Sequence, residues 1–575
     1  MLKATINYPD DDFITDLSNG MPIVGTIPDS NTLRKRVRTA KTDLEKWKTA
    51  LPALNRANVQ RVTEEQDSEN AKIAWERTLT EVERGWVSKP IPLNEEIMET
   101  IPLTPRFAKR EQHGNQDAKF RLIDDFKASA VNDLLSTVDT AVPQTLDLFL
   151  ATCVYYSLIS PNTKLLACSM DFAHAYKHIG IPKSQRDFAT IILTPPGGPV
   201  HYAKLHTQPF GSSRAPANWG RVTHFLQEVM LNMFDVVVFI YVDDCFIVEP
   251  HDTLQSAWDA FHTVCQMLGL SLEPAKGQPP ARKLHLLGAD IALTAEGIHA
   301  SFPDRKRHDL LNDLKQVLKY NQLNPAQAAK LRGRLGFAQS FVFGKLGRAL
   351  LHPLTARQYS QLPGRNHPLN EELNESLRWW IALLTRNSPR TVPFGAPKPT
   401  LLYTDASGSG HISAVLLHEG VQYTTHTHLP PWFTSIAKIL EFEMVATILG
   451  MALAYAIVGA GPVLLCCDNQ GADGIIIRGT CQTDLSRTLS SVFWQVVAAN
   501  NTPPWVEYVA SPLNLADHPS RLCPGLEKPL KTPVLNHGVP AQFHAMLTSI
   551  DALNAAKLNP PPVETDILPP WECNK

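Results

Sequence analysis

The rhythm of hydrophobic and polar positions changes several times along the chain. From residue 1 to about 88 the sequence is polar and rich in helix formers. It has a helical spacing from Ala71 to Trp86 and a basic run, Arg34-Lys35-Arg36-Val37-Arg38, that reads as a solvated helical face. From Lys89 to His299, short β-rich runs are separated by helical stretches and Pro/Gly turns, which predicts α+β structure. Residues 303–355 read as helices, with Asn324-Pro325 as a start signal and Lys330, Arg332, Arg334, Lys345 and Arg348 along their faces. A proline-rich connector near 387–399 leads to a second α/β unit over 400–525, and the tail beyond it has the proline content of an extended or disordered segment.

Met444 to Cys467 carries no charge and is long enough to cross a bilayer. Gly459-Ala460-Gly461-Pro462 interrupts it, however, and divides it into a helix over Met444–Val458 and a strand over Val463–Cys467, both expected inside an α/β core. No membrane association is expected. The N-terminus is acidic and has no apolar signal region, so an intracellular location, cytoplasm or nucleus, is expected in place of secretion.

Length and composition add bounds. With 575 residues the chain is too long for one core, and with 44% hydrophobic and 19% charged residues it is ordinary globular material. A net charge of -2 means that any nucleic-acid contact must rest on local positive charge. The nine cysteines show no Cys-x-x-Cys pair, so neither a zinc ribbon nor a disulfide framework is indicated.

Candidate chemistry begins with FDVVVFIYVDDCFIVEP. Two apolar β-rich stretches, Val236–Ile240 and Cys245–Val248, flank a polar centre, which predicts a hairpin with Asp243 and Asp244 at its tip. Adjacent carboxylates repel each other, and divalent metal relieves the repulsion. Two-metal phosphoryl transfer needs a further carboxylate on a neighbouring element. Asp171, at the end of the apolar strand Leu165–Met170, offers one. Taken singly, these residues would read as an ordinary Asp-Asp turn and a strand-end cap. Together, Asp171, Asp243 and Asp244 give the oxygen-only ligand set that magnesium prefers.

Six motifs, in family order, make this region resemble the fingers, palm and thumb of reverse transcriptases: KFRLIDDF, MDFAHAYKHIGI, QPFGSSRAPANW, YVDD, LSLEPAKGQPP and HLLGADI. The resemblance implies a right-hand polymerase fold. It implies that Asp171 and Asp243 hold two Mg2+ (or Mn2+) ions, with Asp244 as the weaker ligand. Arg121 and Lys119 would pair with the incoming triphosphate, and Tyr176 would pack under the sugar and exclude a 2′-hydroxyl. Gln208, Pro209, Phe210 and Gly211 would shape the nucleotide pocket, with Gly211 letting the backbone come close to it. Lys276 would lie near the triphosphate as a general acid. Position 210 is Phe where many retroviral enzymes have Gln.

A second carboxylate set follows. LLYTDASGSGHISAVLL puts Asp405 at a strand end, VLLCCDN does the same for Asp468, ILEFEMVATIL puts Glu441 and Glu443 near a helix start, and NLADHPSR adds Asp517. The order resembles ribonuclease H fused behind a polymerase, as in retroelements. It implies an α/β ribonuclease H-like domain with two metals on Asp405, Glu443, Asp468 and Asp517. Glu443 fits the family's Glu-x-x-Ala pattern, whereas Glu441 reads as a first-turn residue favoured by the helix dipole. The usual histidine loop before the last aspartate is not evident.

The domain order expected is then a polar helical extension (1–88), fingers and palm (89–300), a helical thumb (301–355), a connector (356–399), the ribonuclease H-like domain (400–525) and the tail (526–575). The implied partners are an RNA template, a DNA primer, an RNA-DNA hybrid and deoxynucleoside triphosphates. The ending around Asn514-Leu515-Ala516-Asp517 and the thumb sequence resemble DIRS-type or pararetrovirus-like retroelement enzymes. Two alternatives are an RNA-dependent RNA polymerase and a catalytically silent, domesticated nucleic-acid-binding scaffold.

Overall fold

The computed structural model describes residues 2–65, 68–111, 119–161, 163–341, 344–361, 364, 366–386, 389–395, 398–521 and 534–548. It divides into two compact units, Met1–Leu287 with Ile291–Ile298, and Gly288–Asp290 with His299–Lys575.

The elements of the first unit that position the site are helix α1 (Glu69–Glu83), strands β1 (Thr104–Glu111), β2 (Lys119–Asp124) and β3 (Leu165–Asp171), helix α2 (Ala215–Phe234), and strands β4 (Val238–Tyr241), β5 (Asp244–Pro250) and β6 (Gln278–Ala281). One antiparallel sheet has the order β4-β5-β3-β6. Helix α2 buries Trp219, Val222, Phe225, Leu226, Val229 and Met230, a three-and-four spacing that forms one apolar face. That face joins Cys168, Met170, Ile240 and Ile247 of the sheet in one core. A five-stranded sheet contains the β1–β2 hairpin.

Residues 1–88 are built into this unit and do not form a separate extension. Strand Gly25–Ile27 pairs parallel with Leu135–Thr140, and Asp10 makes a buried double ion pair with Arg221. The basic run is a strand, not a helical face: Arg34–Arg38 pairs antiparallel with Leu135–Thr140. Edge pairing to a partner about a hundred residues away, invisible to local spacing, sets its conformation.

The second unit holds the expected helices, α3 (Asp304–Tyr320) and α4 (Pro325–Ala338), the latter opened by a capping box between Asn324 and Gln327. Three of the basic residues expected along these faces are tied down internally: Arg332 to Thr355, Arg334 to Asp313 and Arg348 to the Arg478 carbonyl. Strands β7 (Thr400–Ala406), β8 (His411–His418) and β9 (Val421–His428) run antiparallel. Helix α5 (Ile439–Val458) follows, then β10 (Val463–Cys467), helix α6 (Gln470–Arg478), helix α7 (Asp484–Asn500), β11 (Pro504–Tyr508), helix α8 (Asp517–Ser520) and β12 (Val534–Asn536). The sheet order is β11-β10-β7-β8-β9-β12, with β7, β10 and β11 parallel.

Helix α5 is the one described helix long and apolar enough to cross a membrane, and 78% of its apolar window is buried inside the protein. Gly450 lets it lie close on the sheet, since a Cβ there would come 2.6 Å from Thr404 Cγ2. The described part of the tail is ordered against the sheet: β12 pairs with β9, and Phe543 is fully buried in the core. Backbone pairing of Val534–Asn536 with β9 and burial of Phe543 hold it there, although the side chains of Val534 and Leu535 are exposed. The rest of the tail, including its proline-rich end, lies outside the described residues.

Candidate active sites

The first site grows from the hairpin. Strands β4 and β5 are joined by the two-residue loop Val242-Asp243, and the register pairs Asp244 with Tyr241 on one side and Asp171 on the other. Directly opposed residues project to the same face, so Asp171 and Asp244 meet there. Val242 has φ of 58°, a conformation usually left to Gly in such loops and costly for a β-branched residue. Two bonds hold it: the Trp219 indole donates to the Val242 carbonyl, and the Phe172 N–H donates to the Asp243 carbonyl at 2.8 Å.

Loss of hydration pushes the Asp244 carboxyl up to about 6, the charges of Asp243 and Asp171 add to the rise, and Lys276 and His285 oppose it. Asp171 Oδ2 accepts from Lys276 Nζ at 2.9 Å, while its buried Oδ1 has no hydrogen-bond partner. The resemblance put Lys276 near a triphosphate; in the structure its partner is the carboxylate itself.

The Tyr176 ring is buried, 5.0 Å from that of Phe210. Burial raises its phenol, and the Asp243 charge adds to this. Arg121 is exposed on β2, opposite Lys109. The Lys119 side chain lies outside the described residues.

Gln208 is fully buried. Its Nε2 donates to the Met21 carbonyl at 2.7 Å and its Oε1 accepts from Asn218 at 3.3 Å, so it shapes the wall from behind and its amide is turned away from any ligand. Gly211 has a close backbone neighbour of its own. At φ 127°, its close neighbour is the Asp124 carbonyl of β2, 1.9 Å from where a Cβ would sit, so the missing side chain lets β2 approach.

A buried charge network fixes β2 and Tyr176 relative to each other. Arg106 on β1 makes a forked pair with Asp124 at 2.7 and 3.1 Å and reaches Glu81 on α1 at 2.6 Å, and Glu81 also pairs with Lys177 at 3.2 Å. Local sequence gives no sign of it, because its members are 81, 106, 124 and 177.

The second site forms where the parallel register Thr404↔Cys467 leaves Asp405 and Asp468 as the next residues at one sheet edge. Glu443 lies on the overlying helix α5 and is 4% exposed, with its Oε2 unpartnered. Asp405 accepts from Ser520 and, at 3.4 Å, from Asn514. Asp517 pairs with Arg521 at 2.6 Å.

Burial pushes Glu443 up to about 9, with the Asp405 and Asp468 charges adding, and Asp405 up to about 7, opposed by Ser520. Glu441 caps its own helix, accepting from the Lys438 N–H at 3.0 Å and from Ser486 at 2.6 Å. Sequence reasoning missed Cys467, whose sulfur lies with Glu443 and Asp468 ligand oxygens inside a 4.8 Å cluster, and the buried Asp473. Their only sequence signal was proximity to Asp468.

No family model and no curated protein matches the chain. Among solved structures it is similar to a foamy viral protease-reverse transcriptase dRH in complex with double-stranded DNA, with 12% identity over 82% of this chain and 83% of that one and a TM-score of 0.45. A second is a foamy viral protease-reverse transcriptase in complex with RNA/DNA hybrid, with 13% identity, 82% and 64% coverage and a TM-score of 0.43.

Proposed function

We propose that the chain is an RNA-directed DNA polymerase that extends a primer with deoxynucleotides, joined to a ribonuclease H that cleaves RNA in RNA-DNA hybrids. One observation carries the reading: the Asp171↔Asp244 register, which gathers three carboxylates from two distant sequence motifs at one sheet end.

The donors fit divalent cations of the magnesium class. Each set is rich in carboxylate oxygen, and each contains a buried oxygen lacking a donor, Asp171 Oδ1 or Glu443 Oε2. Asp171, Asp243 and Asp244 would hold two Mg2+ or Mn2+ ions in the first site, and Asp405, Glu443, Asp468 and Asp517 two in the second. When bound, such ions lower the pKa of an attacking hydroxyl or water and neutralise charge on the leaving group.

The protein's own groups supply the rest. Arg121, exposed on β2, offers positive charge to a triphosphate, a role the resemblance also gives to Lys119. Tyr176, braced by Phe210, presents a rigid floor for a sugar. Lys276, half exposed, can turn from Asp171 toward a leaving pyrophosphate. In the second site Ser520 and Asn514 orient Asp405.

Tyr176 and the second carboxylate set favour this reading over an RNA-dependent RNA polymerase, and the complete carboxylate sets favour it over a silent scaffold. The test is primer extension with either deoxy- or ribonucleotides. Wild type should prefer deoxynucleotides, and Tyr176→Ala should narrow that preference at least tenfold. Ribonucleotide preference by wild type would overturn the reading.

A further inference from the structure

We propose that Glu443, Cys467 and Asp468 form a site for a thiophilic divalent cation of the zinc class, and that its occupancy shuts off hybrid cleavage while leaving primer extension running. The second clause rests on the ribonuclease reading above; the first does not.

The geometry comes first. One ligand atom from each of the three residues lies within 4.8 Å of the others. Bonds of about 2.3 Å to sulfur and about 2.0–2.2 Å to oxygen place ligand atoms of a tetrahedral site roughly 3.5 Å apart, so closure takes side-chain movements on the order of 1 Å. Cys467 is fully buried at the end of β10, and Glu443 is 4% exposed with Oε2 lacking any donor. A buried carboxylate oxygen without a partner is costly to maintain, and a cation satisfies it. Asp473, on the following helix, is close enough for its charge to oppose ionisation of both Glu443 and Cys467, a repulsion that a bound cation would offset.

Chemistry then selects the ion. Magnesium takes oxygen and shuns sulfur, whereas thiolate favours zinc and its heavier relatives. Three protein ligands with a fourth position open to water is a composition that zinc adopts. Binding replaces the thiol proton, which leaves to solvent, with a metal–sulfur bond and needs no oxidant. Such an ion would occupy Glu443 and Asp468, two of the carboxylates the ribonuclease reading assigns to magnesium, so the two metals compete. Among the described residues, the Asp171–Asp244 site has no equivalent thiol. Cys245 follows Asp244, but its Sγ faces the Met170 carbonyl at 3.3 Å inside the core. Among the described residues, Glu443, Cys467 and Asp468 are the one cluster of this kind.

The test uses the full chain, freed of magnesium and titrated with Cd2+, whose bond to thiolate has an ultraviolet charge-transfer band. The band is expected at one equivalent, to be lost in Cys467→Ser, and Zn2+ affinity should fall at least tenfold in the same variant. Retention of band and affinity in Cys467→Ser would overturn the site. If melting shows that variant misfolded, Glu443→Gln replaces it: a tenfold loss of Zn2+ affinity supports the site, and unchanged affinity sinks it. In wild type, Zn2+ should inhibit hybrid cleavage competitively with Mg2+ and leave primer extension unchanged. Zn2+ that inhibits both activities equally would overturn the selective effect. A Cys467-dependent band in a protein that cleaves no hybrid would leave the metal site standing and remove the ribonuclease reading.

Discussion

Burial and the neighbouring Asp405 and Asp468 charges push the Glu443 carboxyl up to about 9, and Asp405 rises to about 7 in the same pocket. In the unfolded chain both groups ionise near their ordinary values of about 4. Between those limits the folded protein binds more protons than the unfolded one, so stability falls as pH rises through the window. The metal-free protein should therefore lose Tm between about pH 5 and about pH 9. Mg2+ should restore most at the upper end, and Glu443→Gln should flatten the slope. Melting curves across this range check it; a metal-free Tm that climbs, with the same slope in the variant, contradicts it.

Gly211 poses a steric question at the same scale. An added Cβ meets the Asp124 carbonyl at 1.9 Å, and φ of 127° disfavours any side chain, so Gly211→Ala should cost about 2–4 kcal/mol in urea unfolding. Asp171, Asp405, Asp468 and Glu443 were legible because they lie at the ends of apolar strands or near the start of an apolar helix, and Asp243 and Asp244 because two apolar strands flank them. Gln208 was legible as a pocket residue but its inward hydrogen bond was not, because its partner at Met21 is 187 positions away. Lys276 was found, but the Asp171 that pairs with it is 105 positions distant.

Among elements, the placement of β2 against Tyr176 depends on the Arg106–Asp124–Glu81–Lys177 network. Arg106 and Asp124 side chains are 1% and 2% exposed, so removing one partner strands a buried charge. Arg106→Met should cost about 3–5 kcal/mol. Arg56→Ala, which breaks the exposed pair with Glu99, should cost under about 1 kcal/mol. Similar small losses for both in urea titrations would refute the network's role.

Element boundaries were legible where local chemistry settles them. The glycine-proline break after Val458 and the strand Val463–Cys467 fall where the sequence places them. The run Arg34–Arg38 is a strand where local spacing reads as a helical face, and the pairing of Val534–Asn536 has no local signal, because distant strands decide both.

At the scale of the whole molecule, the two carboxylate sets lie in different units. Their activities should therefore separate. Asp243→Asn should remove primer extension by roughly a thousandfold or more and spare hybrid cleavage, and Glu443→Gln should do the reverse. Loss of both activities from either change would contradict two independent centres.

The most direct test of the central claim is RNA-templated extension of a DNA primer by the full chain in Mg2+, wild type against Asp171→Asn. Metal-dependent synthesis by wild type, falling by roughly a thousandfold or more in a variant that melts like wild type, is the predicted result. Primer-template binding without synthesis by wild type, or undiminished synthesis by Asp171→Asn, would contradict it.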